Sequence, residues 1–127
     1  EMLKTTNYLA CLLPDTPATK GILDRSLFDK MPKGSFLLNA GRGNQLVEKD
    51  LTMALDNGQI KGAALDVFIE EPLPKNHPFW DDHRIIITPH HAAEVFMSSA
   101  AKAFVENIRR VRSGQPLKGL VNQEVGY

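Results

Sequence analysis

The chain has 127 residues, which is enough for one domain with a hydrophobic core. Its 15 basic and 15 acidic side chains balance, so neither a nucleic-acid-binding surface nor attachment to an anionic membrane is expected. No apolar run approaches the roughly 20 residues that cross a bilayer, no signal-peptide pattern opens the chain, and the single cysteine, Cys11, fits a reducing cytoplasm.

Apolar runs alternate with helical patterns along the chain. Four short runs predict strands, at 8–13, 35–39, 60–66 and 84–88. Apolar residues at helical spacing predict helices at 22–31, 47–57 and 96–111. Residues 69–83 hold three prolines and predict a loop. Strands that alternate with helices predict an α/β fold with a parallel sheet covered by helices on both faces.

Three polar stretches directly follow predicted strands: Asn39 to Gly43, Asp66 to Pro72, and Thr88-Pro89-His90. Because open parallel sheets bind ligands beyond the carboxyl ends of their strands, these stretches are expected to share one crevice. Arg42 presents a planar fork that matches a carboxylate, and its flanking glycines would let backbone approach a ligand. An imidazole such as His90 beside a carboxylate is a common general acid or base. The combination favours proton transfer next to an anionic substrate.

Each of these residues also has a structural interpretation. Arg42 could be a solvated loop arginine, and His90 could be packed and hydrogen-bonded for structure. Glu70 and Glu71 could be a hydrated acidic pair, whereas Asp66 at a strand end is better placed to lie in the crevice.

Other motifs of ligand binding are absent from the sequence. His91 and Glu94 lack the two-histidine, one-turn spacing of a helical zinc site, so no metal is expected. Neither Gly-x-Gly-x-x-Gly nor Gly-x-x-x-x-Gly-Lys-Ser occurs, so the chain has no phosphate-cradling loop of these types.

The polar stretches, taken in order, resemble those of the D-isomer-specific 2-hydroxyacid dehydrogenases. The motifs that carry the resemblance are Leu12 to Thr19, Leu38 to Gly43, Ala64 to Phe68 with Glu71 to Pro74, and Thr88-Pro89-His90. Within this family the chain most resembles the bacterial glyoxylate/hydroxypyruvate reductase A type, on Pro78-Phe79-Trp80, Ala92-Ala93 and Val125-Gly126-Tyr127.

The resemblance implies a fold and a reaction. Residues 1–91 would be the C-terminal half of a doubly wound, Rossmann-type dinucleotide-binding domain. Residues 92–127 would form a C-terminal helix and tail that pack toward a substrate domain absent from this chain. The parent enzyme would be a cytoplasmic homodimer that transfers hydride from NAD(P)H, with NADPH favoured, to a small 2-oxo acid such as glyoxylate or hydroxypyruvate. The chain alone would be inactive and would self-associate through its bare sheet edge.

The resemblance also implies roles for individual residues. Arg42 would bind the substrate carboxylate and polarise the 2-oxo group, and His90 would protonate the carbonyl oxygen. Glu71 would pair with His90 and keep it protonated, and Asp66 would lie beside the nicotinamide carboxamide. The positions that would line the cofactor, together with Arg42, are Leu13, Pro14, Thr19, Ala40 and Gly41.

A second interpretation belongs to a different functional class. The same family includes C-terminal-binding-protein corepressors, which keep the dehydrogenase fold and bind peptide partners. A non-catalytic binding module therefore stays open, because a fold alone does not fix a function.

Overall fold

The computed structural model describes residues 1–93, 96–122 and 124. Glu94 and residues 125–127, named above for the zinc interpretation and the family resemblance, lie outside this set. The chain divides into two compact units, Glu1–Ala92 and Ala93–Tyr127. None of the helices in the described ranges has the length and apolar character needed to cross a bilayer.

A four-stranded parallel sheet forms the centre of the first unit. Its strands lie side by side in chain order: β1 (Tyr8–Cys11), β2 (Ser35–Asn39), β3 (Ile60–Leu65) and β4 (Ile85–Ile87). Their short apolar segments suit a parallel sheet, where each strand pairs with neighbours through backbone hydrogen bonds. The prediction of an α/β fold with a parallel sheet is confirmed.

Strand β1 ends two residues earlier than predicted. Cys11 is its last residue paired with β2, opposite Asn39. Leu12 and Leu13 follow as exposed residues, and the carbonyl oxygen of Leu13 accepts a hydrogen bond from the side chain of Gln45 at 2.9 Å. The Leu13 carbonyl is thus paired with the Gln45 side chain instead of with the backbone of β2. Leu12 and Leu13 lie on the surface at the carboxyl end of the sheet.

Helix α1 (Arg25–Phe28) is a single turn, so the prediction of a helix over 22–31 is wrong in its length. Leu23 instead forms a parallel bridge with Leu46, which requires extended backbone before the helix. Asp24 then caps the helix, since its carboxylate accepts a hydrogen bond from the Leu27 N–H at 2.9 Å. A contact with a distant segment therefore overrides the local helical pattern.

The two later helices lie within one residue of their predicted bounds. Helix α2 spans Glu48–Asp56 and ends before Gly58, and helix α3 spans Met97–Arg112 in the second unit. The predicted loop at 69–83 contains a 3₁₀ turn at Pro78–Trp80.

The core of the first unit lies against one face of the sheet. Side chains alternate between faces along a strand, and Leu37, Ile60 and Leu65 are buried together with Leu51 and Leu55 of α2. On the opposite face the apolar side chains are exposed: Tyr8 (77 %), Leu38 (41 %) and Ile86 (65 %). Within the first unit the prediction that helices cover both faces is wrong, because right-handed crossovers between strands in chain order return on the same side of the sheet.

An arginine links the end of α2 to the start of β4. The guanidinium of Arg84 donates to both carboxylate oxygens of Asp82, at 2.8 and 2.7 Å, and to Asp56 at 2.9 Å. These charge-assisted hydrogen bonds outweigh burial and lower the pKa of Asp82 to about 2. The pair thus stabilises the ionised carboxylate in the folded state.

We expect Asp82→Asn to lower the free energy of unfolding by about 2 kcal/mol at pH 7. A carboxylate whose folded pKa lies below its ordinary value of 3.8 stabilises the fold above that value and loses the effect as pH falls toward about 2. The difference in the free energy of unfolding between wild type and Asp82→Asn, measured with urea, should therefore decrease as the pH is lowered from 5 to 3. Asp29→Asn is the matched control, because its pair with Arg25 is exposed on both sides. Equal destabilisation by the two substitutions at pH 7 would contradict the conclusion that the Asp82–Arg84 pair stabilises the fold.

Candidate active site

Three loops leave the sheet from neighbouring strands at the same level. Asn39 at the end of β2 lies opposite Leu65 at the end of β3, and Leu65 lies opposite Ile87 at the end of β4. The loops that follow carry Arg42, Glu71 and His90 respectively. The arrangement places a cation, a carboxylate and an imidazole beyond one edge of the sheet.

His90 and Glu71 form a direct pair. Nδ1 of His90 lies 2.7 Å from Oε2 of Glu71, and Oε1 of Glu71 accepts a hydrogen bond from the Phe68 N–H at 2.8 Å. Burial by itself would raise the pKa of Glu71, but the hydrogen bonds from His90 and Phe68 and the charges of His90 and Arg42 lower it overall. The carboxylate therefore stays ionised and can stabilise a positive imidazole ring.

Asp66 fixes the loop that carries His90. Its Oδ1 accepts hydrogen bonds from the Thr88 hydroxyl and, at 3.1 Å, from the His91 N–H, while its Oδ2 accepts from the Ala92 N–H at 2.9 Å. Burial would raise the pKa of Asp66, and these hydrogen bonds reverse the effect so that the pKa is lowered. His90, with a φ of 51°, adopts a left-handed conformation that is uncommon for residues other than glycine. Buried Asp66 thus holds both flanks of this turn.

Arg42 is held through its backbone while its side chain is exposed. The Arg42 N–H donates to Oε1 of Gln45 at 2.9 Å, and its carbonyl oxygen accepts from Nδ2 of Asn39 at 3.1 Å. Its guanidinium donates to the carbonyl oxygen of Gly41 at 2.7 Å. Two buried carboxamides therefore fix the position from which the guanidinium extends.

The glycines beside Arg42 allow close approach to the protein itself. A Cβ on Gly43 would overlap the backbone carbonyl of Phe68, and a Cβ on Gly41 would overlap the side-chain oxygen of Gln45. From the sequence these glycines are expected to make room for a ligand, but the groups that lie against them belong to the protein. They let the loop after β2 pack against the loop after β3, which carries Glu71.

The predicted cofactor-lining residues cluster at the carboxyl ends of β1 and β2. Leu13 and Pro14 are exposed, Thr19 and Ala40 are partly buried, and Gly41 is buried. The Thr19 hydroxyl donates to the carbonyl oxygen of Pro14 at 2.8 Å, which closes the turn between them. The side chain of Gln45 joins this turn to the Arg42 loop, and sequence patterns gave no indication of that role.

A cavity of about 600 Å³ lies beside the His90 and Glu71 pair. Its wall is mostly apolar and includes Phe68, Trp80 and Ile87. The cavity is open to solvent, so a small substrate can reach the imidazole from this side.

Comparison with known proteins gives the family of the chain. Residues 1–92 match the model of the D-isomer specific 2-hydroxyacid dehydrogenase, NAD binding domain. Glyoxylate/hydroxypyruvate reductase A from Photorhabdus laumondii is 49 % identical over all 127 residues, which cover 41 % of that protein. The chain therefore spans about two fifths of the length of the curated relatives it matches.

Solved structures agree with this relationship. A D-isomer specific 2-hydroxyacid dehydrogenase from Xanthobacter autotrophicus, in complex with NADPH and MES, superposes with a TM-score of 0.94 at 37 % identity, over 98 % of this chain and 52 % of that one. An NADPH-dependent glyoxylate/hydroxypyruvate reductase from Sinorhizobium meliloti, in complex with NADP and sulfate, gives 0.92 at 39 % identity, over 98 % and 41 %. This chain belongs to the D-isomer specific 2-hydroxyacid dehydrogenase family and carries the Rossmann-type fold of its NAD binding domain.

Proposed function

We propose that this chain supplies the acid–base and substrate-binding residues of a reductase for small 2-oxo acids of the glyoxylate and hydroxypyruvate type. The observation that carries the proposal is the contact of 2.7 Å between His90 and Glu71, with Arg42 close enough for its charge to lower the pKa of Glu71. The names of its relatives, which are glyoxylate/hydroxypyruvate reductases, support the substrate class.

His90 is proposed as the proton donor. Its Nδ1 faces Glu71, so Nε2 is the ring nitrogen that can face a carbonyl oxygen of the substrate. Glu71, ionised because its pKa is lowered, stabilises the protonated ring until the proton is transferred to that oxygen. In the reverse direction the neutral ring accepts the proton from the 2-hydroxyl group.

Arg42 is proposed to bind the substrate carboxylate. A guanidinium offers two parallel N–H groups to a carboxylate, which fixes both the position and the orientation of the substrate. Its positive charge also stabilises the negative charge that develops on the carbonyl oxygen. The buried amides of Asn39 and Gln45 hold its backbone for this task.

The residues at the carboxyl ends of β1, β2 and β3 fit a nicotinamide dinucleotide, which supplies the hydride when it is bound. Exposed Leu12 and Leu13 offer apolar surface to a ring. Oδ2 of Asp66 accepts one hydrogen bond from the protein and keeps a lone pair for a carboxamide N–H. We propose NADPH as the cofactor, since the two solved relatives described above contain NADPH or NADP.

His90→Ala should lower kcat by about 10² to 10⁴ in the complete gene product, because the acid is lost. Glu71→Gln should lower kcat less than His90→Ala does, because the imidazole remains but loses the carboxylate that contacts its Nδ1. His83→Ala, in an exposed loop, is the control. NADPH oxidation with glyoxylate, followed from pH 5 to pH 9, measures all three.

Wild-type turnover of His90→Ala across this pH range would contradict the assignment. A wild-type protein that turns over none of several 2-oxo acids would refute the proposed function and favour the peptide-binding interpretation.

Arg42→Ala should lower kcat/KM for glyoxylate by about 10² to 10³, mostly through KM with a smaller loss in kcat. Arg42→Lys should have a kcat/KM for glyoxylate only a little higher than that of Arg42→Ala, since an ammonium group lacks the planar pair of N–H donors. Arg25→Ala is the control, because the Arg25 side chain is exposed and pairs with exposed Asp29. An unchanged KM in Arg42→Ala would exclude the carboxylate-binding role.

We also propose that the complete gene product is a homodimer, and that residues 92–127 pack toward its substrate domain. Apolar side chains of α3 support this packing, since Phe104 and Val111 are 68 % and 62 % exposed. Sedimentation of the complete gene product should give the mass of a dimer, and a monomer at micromolar concentration would contradict the dimer.

A further inference from the structure

We propose that Gln45 is a positioning residue that couples the cofactor loop, residues 12–19, to Arg42. The inference rests on the proposed function, because it concerns how the cofactor and substrate sites of that reaction are held together. Gln45 lies in a 3₁₀ turn, Gly43–Gln45, directly after the Arg42 loop.

The side-chain amide of Gln45 uses its whole hydrogen-bonding capacity inside the protein. Nε2 donates to the carbonyl oxygens of Leu13 at 2.9 Å and Pro14 at 3.0 Å. Oε1 accepts from the Arg42 N–H at 2.9 Å and from the Cys11 thiol at 3.4 Å. Two donors and two acceptor positions are all that a carboxamide has, and this one is 0 % exposed.

These partners fix the amide in one orientation. A flipped amide would turn its NH₂ group toward the donors of Arg42 and Cys11, and its oxygen toward two carbonyl oxygens. Gly41 provides the space for the oxygen, because a Cβ at that position would overlap it. A buried polar network in which every group is satisfied is rigid, so a shift at one end is transmitted to the other.

The two ends of this network belong to different parts of the proposed site. Leu13 and Pro14 are exposed at the carboxyl end of β1, where the cofactor would lie. Arg42 follows β2, where the substrate carboxylate would lie. The amide of Gln45 therefore holds the cofactor loop at a fixed separation from Arg42, and a cofactor and substrate bound at these two places would be aligned by it.

The test compares Gln45→Met with Gln59→Met in the complete gene product. Gln59 is a matched control, because its Nε2 also donates to two backbone carbonyls, of Phe28 and Met31, both at 2.8 Å, but at the amino end of β3. Gln45→Met should raise both the Kd for NADPH and the KM for glyoxylate about tenfold. Gln59→Met should lower Tm and leave both constants within about twofold of wild type.

Gln45→Glu separates the two ends of the network. Its carboxyl group keeps an acceptor for the Arg42 N–H and removes the NH₂ donors to Leu13 and Pro14, so the Kd for NADPH should rise while the KM for glyoxylate stays near wild type. In wild type, NADPH should slow the hydrogen exchange of the Arg42 amide, which needs no variant.

An unchanged Kd for NADPH in the folded Gln45 variants, equal increases in Gln59→Met, or an unaltered exchange rate of the Arg42 amide would overturn the inference. The two proposals fail separately. A wild type that binds NADPH without reducing any 2-oxo acid refutes the proposed function, and the Kd values for NADPH still decide whether Gln45 positions the cofactor loop.

Discussion

The register of the parallel sheet determines where each candidate group lies. Asn39, Leu65 and Ile87 lie side by side at the ends of their strands. Backbone hydrogen bonds continue one residue further, from the Asp66 N–H to the Asn39 carbonyl at 2.9 Å and from the Thr88 N–H to the Leu65 carbonyl at 3.0 Å. The loops therefore begin at one level. A slip of one residue would turn each strand's side chains to the opposite face and separate the groups that follow.

Buried polar side chains behind these loops hold the exposed ones in place. Asn39, Gln45 and Asp66 are each at most 6 % exposed. The side chain of each forms hydrogen bonds with the backbone of the loops, Asn39 as a donor and Gln45 and Asp66 as acceptors. Burial of such groups costs free energy unless they are hydrogen-bonded, so their satisfied contacts restrict each loop to one conformation. Arg42 and His90 project from this support toward solvent. The site combines a rigid base with accessible charged groups, as positioned catalytic residues require.

Local patterns in the sequence predicted the strands and α2, because short apolar runs and helical spacing report burial directly. They also singled out Arg42 and His90, whose chemistry depends on residue type and on position after a strand. They could not reveal Gln45, since its partners in the cofactor loop lie 31 and 32 residues away and an amide leaves no periodic signal. The helix predicted at 22–31 was too long for the same reason, as Leu23 pairs with a distant residue. The open face of the sheet was likewise missed, because an apolar run does not show what packs against it.

A crystal structure of the complete gene product with NADP and oxalate, a dicarboxylate that the enzyme cannot reduce, tests the proposed roles of Arg42 and His90 most directly. We expect one oxalate carboxylate on the guanidinium of Arg42 and an oxygen of the other within hydrogen-bond distance of Nε2 of His90. Glu71 should stay in contact with Nδ1 of His90. Oxalate bound away from both Arg42 and His90, with NADP in place, would refute the roles proposed for these two residues.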